Sequence, residues 1–269
     1  MAHNRYTFTE SKYSRFLKEG RGRGVGKDYK PWLTVFDVRS RGRVHRVFCA
    51  MTGRVHHLLS DNEYRAFLVL WWRDDTIDIR EQFPILDRRE TLAIARLLGV
   101  RHPVDRSSQT PIVVTTDLLS THDTIHGQTL AAHAVKETDD LSNARTLEKL
   151  EIERTYWMQR GVPWSLMLSA DLRNNFTRNL AWIYDPGPHT RGDVMARRAD
   201  ELLAPFLFEA IGSNRNDPVR CICLKMDARL GLTPGRTLAC LRRLIAAKRI
   251  RAPLDVARIQ DLPASLFRF

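Results

Sequence analysis

The stretch Ile112-Val-Val-Thr-Thr-Asp-Leu-Leu119, followed after a loop through His122 to Gly127 by Thr129-Leu-Ala-Ala-His-Ala-Val-Lys136, decides the fold. Both halves are rich in β-branched and apolar residues, and the short connection makes them a hairpin. An acid, Asp117, interrupts the first strand and an amine, Lys136, ends the second. Charges within strands that read as buried are expensive unless paired or ligated. The hairpin lays the two strands side by side, so one shared site is reasonable.

Working outward, Arg145 to Arg160 reads as a strong helix closed by Gly161. Pro163 to Leu168 returns as a short strand and Asn174 to Tyr184 as a helix. Upstream, the pattern predicts a helix from Phe8 to Glu19, strands at Leu33–Val38 and Val44–Ala50 joined at Arg41-Gly42, and a helix from Ser60 to Trp72. A strand at Thr76–Glu81 and a helix at Arg88–Leu98 follow. Strands mixed among helices give an α/β core. The Pro- and Gly-dense segment 185–192 is the expected linker. It divides a domain over 1–184, opened by a basic N-terminal arm, from a helical domain over 193–269. There, helices at Asp193–Ile211, Pro218–Leu230 and Pro234–Lys248 precede Arg249 to Leu254, a candidate basic wing. Thr233 and Pro234 suit an N-cap and first turn. The pattern suggests a winged-helix-like module.

The chain has 269 residues and a formal net charge of +12. The excess sits in two lobes: twelve Lys/Arg against three acids over Lys12–Arg54, and twelve against four over Arg215–Phe269. The section between is mildly acidic. Basic lobes suit a polyanion, because neutralised phosphates release condensed counterions, and an acidic middle suits a site that collects divalent cations. No apolar run approaches the roughly 20 residues of a membrane helix, and the polar start is no signal peptide, so a cytoplasmic protein is expected. Cys49, Cys221, Cys223 and Cys240 lack zinc spacing and read as reduced, packed thiols.

Gly20-Arg-Gly-Arg-Gly-Val-Gly26 reads as a flexible cationic loop. It is no nucleotide P-loop, since Asp28 follows Lys27 and no strand precedes it. Arg21, Arg23, Lys27 and Lys30 are candidate phosphate contacts, with His56 and His57 as further DNA-binding candidates. Phosphodiester hydrolysis needs a cation against developing charge and an activated water, both of which carboxylate-held metal supplies. The pattern to look for is an acid on a helix, an acid on a strand and a lysine on the next strand. Glu63, Asp117 and Lys136 fit it. Each also has a plain structural reading: Ser60-x-x-Glu63 matches a capping box, Asp117 with Lys136 a structural ion pair, and Glu148, Glu151 and Glu153 a solvated helix face. Residue pattern and spacing leave these open.

Several blocks together resemble the TnsA endonuclease family: Glu19-Gly-Arg-Gly-Arg-Gly-Val-Gly-Lys-Asp-Tyr29, Pro31-Trp-Leu-Thr-Val35, Thr52-Gly-Arg-Val-His-His-Leu-Leu-Ser-Asp61, Asp78-Ile-Arg-Glu-Gln-Phe-Pro84, Thr116-Asp117, Val135-Lys136, Arg145-Thr-Leu-Glu-Lys-Leu-Glu-Ile-Glu-Arg154 and Tyr156-Trp157. The resemblance implies a restriction endonuclease-like mixed-sheet core, a C-terminal winged-helix-like domain and Mg²⁺, with two ions expected. It implies cutting of the 5′, non-transferred strands at transposon ends, beside a DDE-type transposase, TnsB, and an AAA+ ATPase, TnsC. By motif, Glu63 and Asp117 become metal-binding carboxylates and Lys136 the catalytic lysine. Ala134 stands where restriction-type sites carry an acid two residues before the lysine. That leaves Glu63, Asp117, a backbone carbonyl near Val135 and water to complete the shell. The alternative is a catalytically inactive DNA-binding and assembly subunit. For the C-terminal module, docking to the ATPase is the expected role, with DNA binding through Pro234–Lys248 as the other.

Overall fold

Leu118 and Leu119 are adjacent in one strand and both are wholly buried. Successive strand residues face opposite sides, so the sheet that carries them is covered on both faces. The computed structural model describes residues 6–39, 42–184 and 194–269. They fall into two units, Met1–Leu172 and Arg173–Phe269.

In the first unit the elements are α1 (Glu10–Lys18), β1 (His45–Cys49), β2 (Arg54–Leu58), α2 (Asp61–Trp72), β3 (Thr76–Pro84), α3 (Arg88–Leu97), β4 (Thr115–Thr124), β5 (Gly127–Lys136), α4 (Ala144–Met158), β6 (Trp164–Leu168) and a single turn, α5 (Ser169–Leu172). The main sheet runs β3-β4-β5-β6. Its first three strands are antiparallel and β6 is parallel to β5. A parallel neighbour requires a crossover, and α4 is that crossover. Trp157 of α4 packs on Leu119 and Ala132, while α2 packs against β3, β4 and β5. A mixed sheet between helices is the α/β arrangement read from the sequence.

The register holds the functional feature. β4 pairs with β5 only from Thr124↔Gly127 to Leu118↔His133. Beyond that rung β3 stays with β4 as far as Pro84↔Thr115, and β5 stays with β6 as far as Lys136↔Leu168. The sheet therefore forks, and Asp117 and Lys136 lie on opposite prongs. Val135 N, which has no β4 backbone partner there, donates to Asp117 Oδ2 at 2.7 Å. A side chain has replaced a ladder rung.

Four local readings are corrected. Leu33–Val38 is not a strand: Asp37 N donates to Thr34 O at 3.0 Å in a β-turn, and the Asp37 carboxylate accepts from Thr34 N and Oγ1 at 2.9 and 2.6 Å. The partner of β1 is β2, joined through Gly53 at φ 70°. The strand expected at Ile112–Leu119 starts later, at Thr115. The Gly-rich segment is a folded clamp: Gly22 N donates to Lys30 O at 2.6 Å and Lys30 N to Arg23 O at 3.1 Å. A Cβ on Gly22 would meet Pro84 of β3 at 2.2 Å, so only glycine permits that approach. Arg41 and the linker 185–192 lie outside the described residues.

The second unit comprises α6 (Asn175–Tyr184), α7 (Val194–Ser213), α8 (Val219–Arg229) and α9 (Arg236–Ala246). The helix α6, read from sequence as the end of the first domain, packs on α9 here. Asn179 fixes it, donating to Leu254 O and Val256 O at 2.8 and 2.7 Å. The expected Thr233 cap is not used. Gly235 at φ 89° is the N-cap residue of α9, and the capping carboxylate comes from α8. Asp227 accepts from Gly235 N, Thr237 N and Thr237 Oγ1 at 2.7, 2.8 and 2.5 Å. The wing reduces to one antiparallel bridge, Arg251↔Arg268. Asp227→Ala removes the cap and strands two buried donors. It should lower the urea-unfolding free energy by about 2 kcal/mol, with Asp227→Asn losing less; equal stability of wild type and both variants would contradict the capping role.

Candidate active site

Glu63 enters the fork from the first turn of α2. Ser60 Oγ caps that helix by accepting from Glu63 N at 3.1 Å. The Glu63 carboxylate turns back to accept from Leu59 N at 2.9 Å and from Gln82 Nε2 at 3.3 Å. Ser60 thus caps α2 as the capping-box reading expects, while the Glu63 carboxylate returns to Leu59 N, one residue before the N-cap, and lies within reach of the Asp117 charge. Burial, and then the nearby Asp117 charge, push the Glu63 carboxyl up to about 8.

Lys136 Nζ donates to Asp117 Oδ2 at 2.7 Å and to the Val135 carbonyl at 2.8 Å. Burial favours the neutral amine, but the adjacent Asp117 carboxylate outweighs it and holds the lysine above its ordinary value. Glu63, Asp117, Lys136 and the Val135 carbonyl are thus brought to one place, with Glu63 and Lys136 close enough to feel each other's charge.

Two further residues belong to the site. Glu153 of α4 was read as part of a solvated face. That holds for Glu148 and Glu151, which pair with Arg145 and Arg154. Glu153 instead is buried, accepts from Trp164 Nε1 at 3.2 Å, and is pushed up to about 7 by burial and by Asp117. The signal was available, since Glu153 shares the helical stripe of Leu150 and Trp157. Gln82 of β3, at φ 47°, buries its amide between Glu63 and Thr115 Oγ1. Nothing in its sequence setting announces the left-handed backbone.

Asp117, Lys136 and Glu153 line a cleft of about 650 Å³ whose other lining residues include Arg101, Arg106, Arg145 and Lys149. Acids and cations therefore share one concavity. Burial, and then Lys136 and Arg145, hold Lys149 below its ordinary value. Among the described residues no three His, Cys, Asp or Glu side chains group as a metal site. Ala134 is wholly buried and brings no donor. The oxygens that could hold a divalent cation are those of Glu63, Asp117 and Val135 O. They fit one: two of them already converge on the Lys136 ammonium, and a hard cation accepts oxygen donors with water completing its shell.

Residues 73–169 match the family described as "TnsA-like endonuclease N terminal", and residues 171–254 match "TnsA endonuclease C terminal". The chain is 40% identical over 249 residues to the transposon Tn7 transposition protein TnsA of Escherichia coli, covering 91% of this chain and 87% of that protein. The chain belongs to the TnsA endonuclease family. The first TnsA match contains Asp117, Lys136 and Glu153, while Glu63 lies upstream of it. The second begins within two residues of the break between the structural units.

Of the DNA-contact candidates in this TnsA-family chain, Arg23, Lys27 and Lys30 are exposed and His57 is half-buried. Arg21 and His56 are corrected. Arg21 stacks 3.6 Å over the Phe16 ring and donates to Trp32 O and Asp37 at 2.9 and 2.7 Å. His56 is wholly buried between Thr52 and Glu81, at 2.7 and 2.8 Å. Glu81 itself is wholly buried, taking a bidentate pair from Arg54 at 2.8 and 2.6 Å and His57 N at 3.0 Å. This knot ties β2 to β3 one residue from Gln82.

Burial alone would raise the Glu81 carboxyl, but His56 and Arg54 hold it far below its ordinary 4.5. A depressed carboxyl stabilises the fold above the unfolded value and loses that contribution as pH falls. Glu81→Gln should therefore cost about 3 kcal/mol at pH 7 and flatten the acid limb of stability against pH below 4.5. Urea unfolding across pH measures both; an unchanged acid limb would contradict the assignment.

Proposed function

We propose that the chain is an Mg²⁺-dependent DNA endonuclease that cuts the 5′, non-transferred strands at transposon ends. The observation that carries this reading is the meeting of Glu63, Asp117 and Lys136 at the sheet fork, where Asp117 and Lys136 line a cleft that also carries arginines and Lys149. The Escherichia coli relative is named as a transposition protein. A bound divalent ion, or a pair, would supply charge neutralisation at the phosphate and an acidified water.

This chain's own residues do the rest. Asp117, Glu63 and Val135 O provide the oxygen cradle. Lys136, held as the ammonium, cannot accept a proton and acts as a donor, to an attacking water or to a phosphoryl oxygen gaining charge. Glu153, held at about 7, is the cleft carboxyl able to exchange a proton near neutral pH. Arg101, Arg106 and Lys149 would receive flanking phosphates, with exposed Arg23, Lys27 and Lys30 as a further basic surface. Partners on this reading are the transposon-end DNA, the DDE-type transposase TnsB and the AAA+ ATPase TnsC, with the C-terminal unit read as winged-helix-like. One observation favours a second reading, an inactive assembly subunit: Ala134 leaves the site a side-chain ligand short.

Strand-specific cleavage of labelled transposon ends with partner transposase and Mg²⁺ decides between them. Asp117→Ala and Lys136→Ala should each reduce cutting at least a hundredfold with the thermal unfolding midpoint retained, and EDTA should abolish wild-type cutting until Mg²⁺ is restored. Cutting at the wild-type rate by either variant would refute the assignment, and no cutting by wild type would favour the assembly subunit.

A further inference from the structure

In a winged-helix reading the third helix would enter DNA, yet the arginines of α9 are engaged within their own unit. Arg236 and Arg243 both pair with Asp200 of α7. Arg242 donates to Trp182 O at 2.5 Å and lies over the Trp182 ring. Three arginines of the Pro234–Lys248 segment, read above as the alternative DNA-binding element, thus serve packing. Lys248 follows the helix and belongs to a different surface.

After α9 the chain alternates: Arg249 exposed, Ile250 buried, Arg251 exposed. The returning segment does the same, with Leu266 exposed, Phe267 buried and Arg268 exposed. Period-two burial anchors the apolar residues inward and sets the arginines on the outer face. Two backbone hydrogen bonds hold the segments together, Arg251 N to Arg268 O at 2.7 Å and Arg268 N to Arg251 O at 2.9 Å. Lys248, Arg249, Arg251 and Arg268 line a cleft of about 620 Å³ together with Leu266 and Phe269, and no Asp or Glu side chain lines it. Among the described residues no acid pairs with Arg249, Arg251 or Arg268.

We propose that this cleft grips the phosphate backbone of duplex DNA, so that the C-terminal unit meets DNA through its basic ladder and not through α9. The inference rests on the reading that the chain acts on DNA. Arg251 and Arg268 are paired across the backbone bridge, and Lys248 and Arg249 line the same acid-free cleft, so four cations converge on one groove. Arginine's planar fork matches phosphate oxygens bidentately. Such contacts position a duplex without reading its sequence.

The test is the salt dependence of binding to a short duplex of arbitrary sequence, by fluorescence anisotropy on the full chain. Arg251→Gln/Arg268→Gln should weaken binding roughly tenfold or more at about 0.1 M salt and lower the slope of log affinity against log salt by about 2. The backbone bridge, and with it the thermal midpoint, should survive. Arg242→Gln should leave the slope unchanged. A slope unaltered in the double variant overturns the proposal, and so does a slope that falls only with Arg242→Gln. Loss of binding to a polyglutamate probe with DNA binding intact would also overturn it, and would mark the cleft as a site for an acidic protein segment. Cleavage by Asp117→Ala, measured in parallel, reports on the nuclease reading separately, because that residue is remote in the chain from the ladder.

Discussion

Lys136 Nζ rests between Asp117 Oδ2 and the Val135 carbonyl, at 2.7 and 2.8 Å, in a setting where burial alone would favour the uncharged amine. Asp117 and Lys136, with the Glu63 carboxyl beside them, share a small volume at the end of the sheet's two inner strands. Removing charges from water is expensive unless they satisfy one another. The fold meets that demand by parting its central strands. Where β4 leaves β5, a side-chain carboxylate substitutes for a backbone rung, and the gap becomes the place where charge is tolerated.

The surrounding elements exist to keep that gap in shape. The cap of α2 aims Glu63, because the carboxylate that satisfies the backbone amide of Leu59 is the one presented to Asp117. The buried Glu81 knot binds β2 to β3 and leaves Gln82 with its unusual backbone to steady Glu63. The Gly-rich segment presses onto Pro84, so the basic loop is fastened to the prong that carries β3. On the other face, Trp157 fixes α4 so that Glu153 reaches the cleft. Stability and site geometry are the same contacts viewed twice.

Much of this was legible in the residues. Asp117 and Lys136 stood out because charges in apolar strands demand partners, and Glu63 because it opens a helix beside them. The class of core followed from strands alternating with helices. Three kinds of information were not local. The fork is a property of register among four strands, and no single strand encodes it. Glu153 looked solvated because its neighbours Glu148 and Glu151 are, and only helical phase separates it from them. Arg21, His56 and the α9 arginines looked available for phosphates because sequence shows a charge but not the acid, carbonyl or ring that occupies it. Asp227 capping α9 from another helix, in place of Thr233, is a tertiary override of a local signal.

The account stands on Glu63, Asp117 and Val135 O forming a cradle that prefers a hard cation to an ammonium. Crystals soaked in Mn²⁺ and measured at its absorption edge test this directly. The account predicts an anomalous peak bonded to both carboxylates and the carbonyl, with Lys136 Nζ moved off Val135 O. Diffraction showing no peak at the fork, and Lys136 still bridging Asp117 and Val135 O, would contradict it.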